Sequence, residues 1–410
     1  MTEGNKGSGR GAPSGKALGG TRVLEYCQMV AGPYCAKLLA DLGAEVIEIE
    51  EPGRGDQARA EGPFPNDIPH PEKSALFLYL NTNKKGVTLS LQTATGRRIF
   101  RQLVKEADIF IEDQPPGALA ELGLGYGGLS QLNPHLIVTS ITPFGQTGPY
   151  RDYKAYHLNL YHASGAPYFA YGEITIPGRA HAQGGGCVGD YDAGLCAALG
   201  TLAALFARSA TGNGQHLDIS KWEALVSLDR VEHARHANDN PQPLRGMVGG
   251  LVPCKDGWMT LTVPQEHQWQ ALVEFMGTPE WTQTEKCKDE FSRAAHREEL
   301  QPLIIEWMEQ HTKDEIYHRG QACGVPSGPV ASAQDVMESP QMRHRGFITE
   351  IDHPETGKLE YVTAAYKYSR TPVQGSRPAP LLGEHNEEVY CQRLGYSKEE
   401  LAKMRAGGII

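Results

Sequence analysis

A glycine-rich run that ends in an acidic residue is the segment best placed to do chemistry. Residues 184–194 read GGGCVGDYDAG, and the apolar stretch after them predicts a helix over Leu195–Ala207. Asp190 would lie at the start of that helix, where the positive helix end keeps a carboxylate ionised and nucleophilic. An aspartate is also a good N-cap for the first helical turn, and spacing alone does not separate the two roles.

Two more loops are predicted to lie on the same side of the molecule as that segment. Residues 142–149, TPFGQTGP, follow the predicted strand Leu136–Ile141, and the loop Ala31–Pro33 follows the strand Val23–Tyr26. Open α/β folds bind their ligands at the carboxyl ends of parallel strands. Because three glycine-bearing loops are expected at one sheet edge, a ligand site there is better supported than by any single loop.

The elements that must position these loops alternate between strand and helix. A strand at 23–26, a helix at 34–42 and a strand at 44–49 make one βαβ unit, which predicts a parallel sheet. The expected fold class is α/β, with a Rossmann-like large domain at 21–225 that holds an open, mainly parallel sheet. The pattern changes near 226, which predicts a smaller α+β domain at 226–368, a C-terminal segment at 369–410 and a disordered tail at 1–20.

Composition narrows the class of protein. The 410 residues carry a net charge of -10, which disfavours binding to nucleic acid because that needs basic side chains to neutralise phosphates. The eight cysteines lack zinc or redox spacing, and we expect reduced thiols in a cytoplasmic protein. The N-terminus lacks the apolar stretch of a signal peptide, and the apolar run 195–207 is too short to span a bilayer.

One familiar motif is present in the wrong context. Residues 123–128, GLGYGG, fit the glycine pattern of dinucleotide-binding proteins. That pattern must follow a strand and open a helix, whereas this one follows the helical stretch 118–122. It is better interpreted as a helix end and a turn, and the sequence predicts no metal site.

Seven segments in a fixed order resemble a known family. They are Ala31–Tyr34, Leu39–Ile47, Asn83–Lys85, Phe144–Pro149, Gly189–Tyr191 with Gly194, Thr211–Gln215 and Leu381–His385. Each is common alone, but together they resemble the family III CoA-transferases, also called the CaiB/BaiF family. This family includes formyl-CoA and crotonobetainyl-CoA transferases, and the resemblance covers about residues 20–410.

The resemblance implies an interlocked dimer and a set of site residues. Two chains would be linked like the rings of a chain, as a homodimer or with a homologous sister subunit, and the last helix would return to the large domain. The nucleophile maps to Asp190 and a shielding glycine loop maps to Gly249 and Gly250. The implied CoA-binding residues are Val30, Ala31, Lys84, Asp113 and Phe144, and the acceptor pocket holds Tyr156 and His157.

The activity implied by the resemblance is transfer of CoA from an acyl-CoA donor, such as succinyl-CoA, to a carboxylic acid through an aspartyl-CoA thioester. The CoA thioester is a substrate, and no permanently bound cofactor, nucleic acid or membrane is expected. Glu51, Asp113 and Glu121 stand where many relatives carry neutral or basic residues along the CoA path, and three carboxylates there would repel a diphosphate.

Two other interpretations stay open at the sequence level. One is a 2-methylacyl-CoA racemase, which shares the fold and uses a histidine as a base. That histidine position aligns with Tyr156, one residue before His157, which favours the transferase. His157 replaces an aspartate common among transferases and is a candidate for selecting the acceptor acid. The other interpretation is a non-catalytic partner subunit of a heteromeric CoA-transferase.

Overall fold

The chain folds into two compact units. The computed structural model describes residues 15–166, 184–228, 233–234, 237–238, 248–373 and 377–410. The described residues of 1–237 and 347–410 form the first unit, and those of 238–346 form the second. The sequence predicts the small domain at 226–368. In the structure the second unit is shorter, because the region 347–368 belongs to the first unit.

A six-stranded parallel sheet lies at the centre of the first unit. Its strands are β1 (Arg22–Tyr26), β2 (Glu45–Glu50), β3 (Lys85–Thr88), β4 (Ile109–Glu112), β5 (Ile137–Thr142) and β6 (His216–Ser220). They are ordered β3-β2-β1-β4-β5-β6, and each neighbouring pair is parallel. The predicted open parallel sheet is confirmed. Its order reverses between β1 and β4, where doubly wound folds have their binding crevice.

Helices cover both faces of this sheet. The helices of the first unit are α1 (Ala31–Asp41), α2 (Ala75–Leu80), α3 (Ala94–Val104), α4 (Ala118–Glu121), α5 (Tyr126–Leu132), α6 (His157–Ala163), α7 (Val188–Thr211) and α8 (Lys221–Leu228), followed near the C-terminus by a π-helical turn (Glu387–Arg393) and a last helix (Lys398–Ala406). One core joins α1 and α7 to the sheet through Leu39, Ile109 and Ala197. The opposite core includes Phe100 and Tyr390, so the C-terminal segment packs on the other face.

Helix α7 begins earlier than the apolar pattern predicts. It starts at Val188 rather than Leu195, because its small residues allow close packing against α1. A Cβ atom at Gly194 would lie 2.6 Å from the Ala31 carbonyl oxygen, so the two backbones touch there. The helix has 24 residues, and its 18-residue window of mean hydropathy 1.5 is apolar enough to cross a membrane by length and composition alone. Here it packs on α1, β5 and β6.

Part of the expected N-terminal tail belongs to this core. The Leu18 amide donates to the Leu42 carbonyl at 3.0 Å, and Leu18 packs against the α1 side of the sheet. A Cβ atom at Gly43 would lie 2.6 Å from the Lys16 side chain. The expected disorder over 1–20 is therefore wrong for residues 16–20. Leu18 ties this segment to the end of α1 and to the core.

The second unit combines a small antiparallel sheet with helices. Its strands are β7 (Gly249–Cys254), β8 (Gly257–Thr262) and β9 (Ser327–Pro329), in the order β7-β8-β9. Its helices are α9 (Glu266–Phe275), α10 (Glu290–Ala295), α11 (Arg297–Met308), α12 (Lys313–Ala322), α13 (Ala333–Glu338) and α14 (Pro340–His344). Trp269, Leu272 and Ile304 lie in its core. The hairpin of β10 (Ile348–His353) and β11 (Gly357–Val362) belongs to the first unit.

Candidate active site

Asp190 lies in the first turn of α7, beside a cation. Its Oδ1 accepts a hydrogen bond from Lys221 Nζ at 2.8 Å, and its Oδ2 lies 3.8 Å from His157 Nδ1. The residue is 9% exposed. The helix cap is Cys187, which makes no side-chain capping hydrogen bond, so Asp190, three residues further on, is not the N-cap. Its carboxylate is therefore held for another purpose than capping.

Packing between two helices brings Asp190 and Lys221 together. Lys221 is the first residue after β6, at the carboxyl edge of the sheet, and it begins α8. A Cβ atom at Gly189 would lie 2.8 Å from a methyl group of Leu225 in α8, so this glycine allows the start of α7 to approach α8 closely. No sequence motif singles out Lys221, although a lysine directly after a strand at this edge is a usable signal of a ligand site.

His157 is the third group of the site and begins α6. Both of its ring nitrogens are buried, and neither has a hydrogen-bond partner in the described part of the chain. Burial raises the pKa of Asp192, and the nearby His157 lowers it. The imidazole therefore lies close to both carboxyl groups at the start of α7.

The two predicted acceptor-pocket residues are placed differently. Tyr156 is 77% exposed, whereas the neighbouring His157 side chain is 11% exposed and faces Asp190. Of this pair, the structure brings only His157 to the candidate nucleophile. Phe144 lies in the loop after β5, where its ring packs against Trp222 of α8 with centroids 5.8 Å apart. That contact fixes the loop next to the helix that carries Lys221.

Asp113 and the loop after β1 meet at the point where the strand order reverses. Asp113 follows β4, and its Oδ2 accepts from the Gln28 amide at 2.8 Å. Val30 and Ala31 are buried at the end of the same loop, where α1 begins. Burial raises the pKa of Asp113 to about 8, although the Gln28 hydrogen bond and Lys221 pull it down. This carboxyl group is thus mostly neutral at pH 7, which weakens the expected repulsion of a diphosphate.

Lys84 does not fit its expected role as a CoA ligand. Its ammonium group pairs with Glu25 at 2.8 Å and both side chains are 0% exposed. It also donates to the Pro33 carbonyl at 3.0 Å and to Asn81 Oδ1 at 2.6 Å. A fully buried ammonium group with a paired charge and two hydrogen bonds to the protein has a structural role, and it lies out of reach of a ligand. The other two acidic residues that stand where many relatives carry neutral or basic ones differ in exposure. Glu51 is half-buried, and Glu121 is exposed on α4.

A buried acidic cluster surrounds Lys84 at the ends of β1 and β2. It consists of Glu25, Glu48, Glu50 and Asp56, each no more than 1% exposed. Glu50 pairs with Arg59 at 2.6 Å. Burial raises the pKa of Glu48 well above its usual value and that of Asp56 to about 7. In the described ranges no group of three or more His, Cys, Asp or Glu side chains is arranged to hold a metal ion.

The predicted glycine loop lies in the second unit. Gly249 and Gly250 begin β7 with φ values of 105° and 83°, in the left-handed region that favours glycine. The Gly249 amide donates to Gln301 Oε1 at 2.9 Å, and Gln301 Nε2 donates back to its carbonyl at 2.9 Å. A shielding role for these glycines stays a prediction.

Comparison with known proteins agrees with this fold. Residues 18–386 match CoA-transferase family III, and the chain belongs to that family. It is 33% identical over 404 residues to succinyl-CoA–D-citramalate CoA-transferase of Chloroflexus aurantiacus, covering 96% of this chain and 98% of the relative. It is 29% identical over 422 residues to human succinyl-CoA:glutarate CoA-transferase, covering 99% and 94%.

A solved structure of a CaiB/BaiF family protein from Brucella suis matches with a TM-score of 0.80 at 27% identity. The match covers 93% of this chain and 99% of that one. Together with the family match, this defines the protein as an enzyme of the CoA-transferase class. The family resemblance read from the seven sequence segments is confirmed.

Proposed function

We propose that this enzyme moves CoA from succinyl-CoA to a second carboxylic acid through a covalent aspartyl-CoA thioester at Asp190. The observation that carries the proposal is the Asp190 carboxylate, which does not cap α7 and whose Oδ1 lies 2.8 Å from Lys221 Nζ. A carboxylate held at a helix start next to a cation stays ionised, as a nucleophile must.

The reaction divides into two equivalent halves. The Asp190 carboxylate attacks the thioester carbonyl of the donor, which forms a mixed anhydride and releases the CoA thiolate. The thiolate then attacks the aspartyl carbonyl, which forms the aspartyl-CoA thioester and releases the donor acid as a carboxylate. An acceptor carboxylate reverses both steps and leaves as its CoA thioester. Covalent catalysis splits one difficult exchange into easier steps, each of which conserves charge.

The names of two relatives support the choice of substrates. Both are named as using succinyl-CoA, and their acceptors, D-citramalate and glutarate, are dicarboxylic acids. We therefore propose succinyl-CoA as the donor and a small dicarboxylic acid as the acceptor.

The test is to trap the intermediate with donor alone. Incubation with succinyl-CoA followed by hydroxylamine should inactivate the enzyme and modify the peptide that contains Asp190. Asp190→Asn should abolish the trapping, whereas the matched variant Asp192→Asn, two residues further along the same helix, should be trapped like the wild type.

A second measurement separates the transferase from a racemase. In deuterated water, a racemase would exchange the α-hydrogen of a 2-methylacyl-CoA without any trapping, and that result would overturn the proposal. Trapping on a co-purified sister chain, but not on this one, would instead identify this chain as a non-catalytic subunit.

We also propose that the chain works as the interlocked dimer implied by its family resemblance. Support comes from α7, where Leu195, Leu199 and Phe206 are 55%, 70% and 81% exposed on the single chain. Apolar side chains at this spacing on one helix favour a covering partner, here a second copy of the chain. Light scattering should give twice the chain mass, and Phe206→Glu should weaken the dimer. A monomer at micromolar concentration would contradict it.

A further inference from the structure

We propose that Lys221 is the binding group for the free carboxylic acids of the reaction, and that it becomes available only while Asp190 carries CoA. The inference rests on the proposed aspartyl-CoA intermediate. It assigns to Lys221 a role in distinguishing the two substrates. The acyl-CoA meets this lysine while it is paired with the Asp190 carboxylate, whereas the free acid meets it while it is unpaired.

The first step of the argument is the resting pair. Lys221 Nζ donates to Asp190 Oδ1 at 2.8 Å, and the two side chains are 22% and 12% exposed. A charge-assisted hydrogen bond at this depth is strong enough to hold both groups in place. In the resting enzyme the lysine is therefore neutralised by the nucleophile, and an incoming carboxylate gains little from it.

The second step follows from the charge balance of the first half-reaction. Acyl-CoA and the Asp190 carboxylate become an aspartyl-CoA thioester and a free carboxylate, so the negative charge moves from the enzyme to the released acid. The thioester at Asp190 is neutral. Lys221 then keeps its positive charge without the carboxylate that balanced it, at the position where the next acid must attack.

The third step concerns two neighbouring groups in the described part of the chain, Asp113 and His157, neither of which takes the place of Asp190. Asp113 lies close enough for its pKa to respond to Lys221, but burial raises that pKa to about 8, so the group is mostly neutral at pH 7. His157 is on the Oδ2 side of Asp190 and carries no negative charge. The carboxylate best suited to replace the lost partner is that of the substrate acid.

The inference makes the two substrates respond differently to loss of the lysine. An acyl-CoA binds the resting enzyme, where Lys221 is already paired with Asp190. In the transition state for attack on the acyl-CoA, the negative charge that came from Asp190 is still near the lysine. A free acid binds the thioester form, where Lys221 is unpaired and supplies new binding energy. Removal of the charge should thus lower kcat/KM for the acid and leave kcat/KM for the acyl-CoA almost unchanged.

The experiment uses Lys221→Met, which keeps the length of the side chain and removes its charge. We expect kcat/KM for the acceptor acid to fall roughly 10- to 100-fold, the range of one charge-assisted hydrogen bond, with kcat/KM for succinyl-CoA within about threefold. At a fixed ratio of succinyl-CoA to succinate, the fraction of enzyme trapped as thioester should rise, because the resting form loses its ion pair whereas the thioester form without bound acid has none to lose. Lys221→Arg should restore most of the acid dependence.

The control is Lys85→Gln, which removes another partly buried lysine that pairs with Glu45 at 2.7 Å in the same unit. It should lower the melting temperature without changing either specificity constant. If Lys221→Met lowers kcat/KM equally for both substrates, or for neither, the inference is overturned. Trapping of the thioester in the wild type would still support the proposed function in that case. A wild type that neither transfers CoA nor forms the thioester would overturn both.

Discussion

Two groups of charged side chains lie at the carboxyl edge of the same sheet and differ in what surrounds them. Glu25 and Lys84 are completely buried, and the lysine pairs with Glu25 and donates hydrogen bonds to Pro33 and Asn81. Around Asp190 and Lys221 the pair retains some contact with solvent, and the lysine has one carboxylate at hydrogen-bond distance. Both contain a short lysine–carboxylate pair, so the pair alone does not identify a site.

The difference lies in the room left for a ligand. A buried charge must be fully bonded by the protein itself, since leaving it unpaired costs more than the pair gains. In the Glu25 cluster, oxygens of Glu25, Glu48 and Asp56 have no hydrogen-bond partner among the described residues. Burial raises the pKa of all three carboxyl groups, so protonation offsets part of the missing bonding. Asp190 has one oxygen 3.8 Å from an imidazole and belongs to a pair that solvent partly reaches, so a substrate can approach this carboxylate.

The largest difference between the two lysine–carboxylate pairs is expected when the reactive carboxylate is removed. Asp190→Ala should lower CoA transfer at least about 100-fold, because the covalent acceptor is lost. The melting temperature should stay within a few degrees, since Asp190 neither caps α7 nor fills the core. Residual transfer above a few per cent in a pure sample would refute the assignment. Asp192→Ala, on the same helix, should be much milder.

Removal of the buried lysine should have the reverse effect. Lys84→Met leaves Glu25 without a cation in a fully buried site, which should cost about 3–5 kcal/mol of folding free energy in denaturant unfolding. The remaining folded enzyme should keep its KM for acyl-CoA. The double variant Lys84→Met/Glu25→Gln should recover much of the stability. A large rise in KM with normal stability would restore Lys84 as a CoA ligand.

The smallest effect is expected from Asp113, which stands between the two groups. Its pKa of about 8 predicts a neutral side chain below that pH and a carboxylate above it. As the pH rises through about 8, the new negative charge should repel the CoA phosphates and raise KM for acyl-CoA a few-fold, roughly 2- to 5-fold. Asp113→Asn should remove this rise. A KM that follows the same pH curve in both proteins would place the CoA phosphates elsewhere.

The sequence predicts the sheet because hydrophobic strands and glycine stops repeat in a regular order. It also locates Asp190, since a carboxylate after a glycine run is visible locally. It does not predict Lys221, because the pair depends on two helix starts separated by 31 positions that meet only in the folded unit. The sequence does not predict the burial of Lys84 for a related reason: its partner Glu25 lies on β1, far away along the chain, and burial of a lysine leaves no local pattern in the sequence.

The contact between Gly194 and the Ala31 carbonyl oxygen has a consequence for how this enzyme could be varied in the laboratory. A methyl group at 194 would meet backbone at 2.6 Å, and backbone cannot rotate away as a side chain can. The start of α7 would have to shift, and Asp190 lies one helical turn from this position. In a library that randomises α7, active clones should therefore accept many residues at exposed Ala210 and retain glycine at 194.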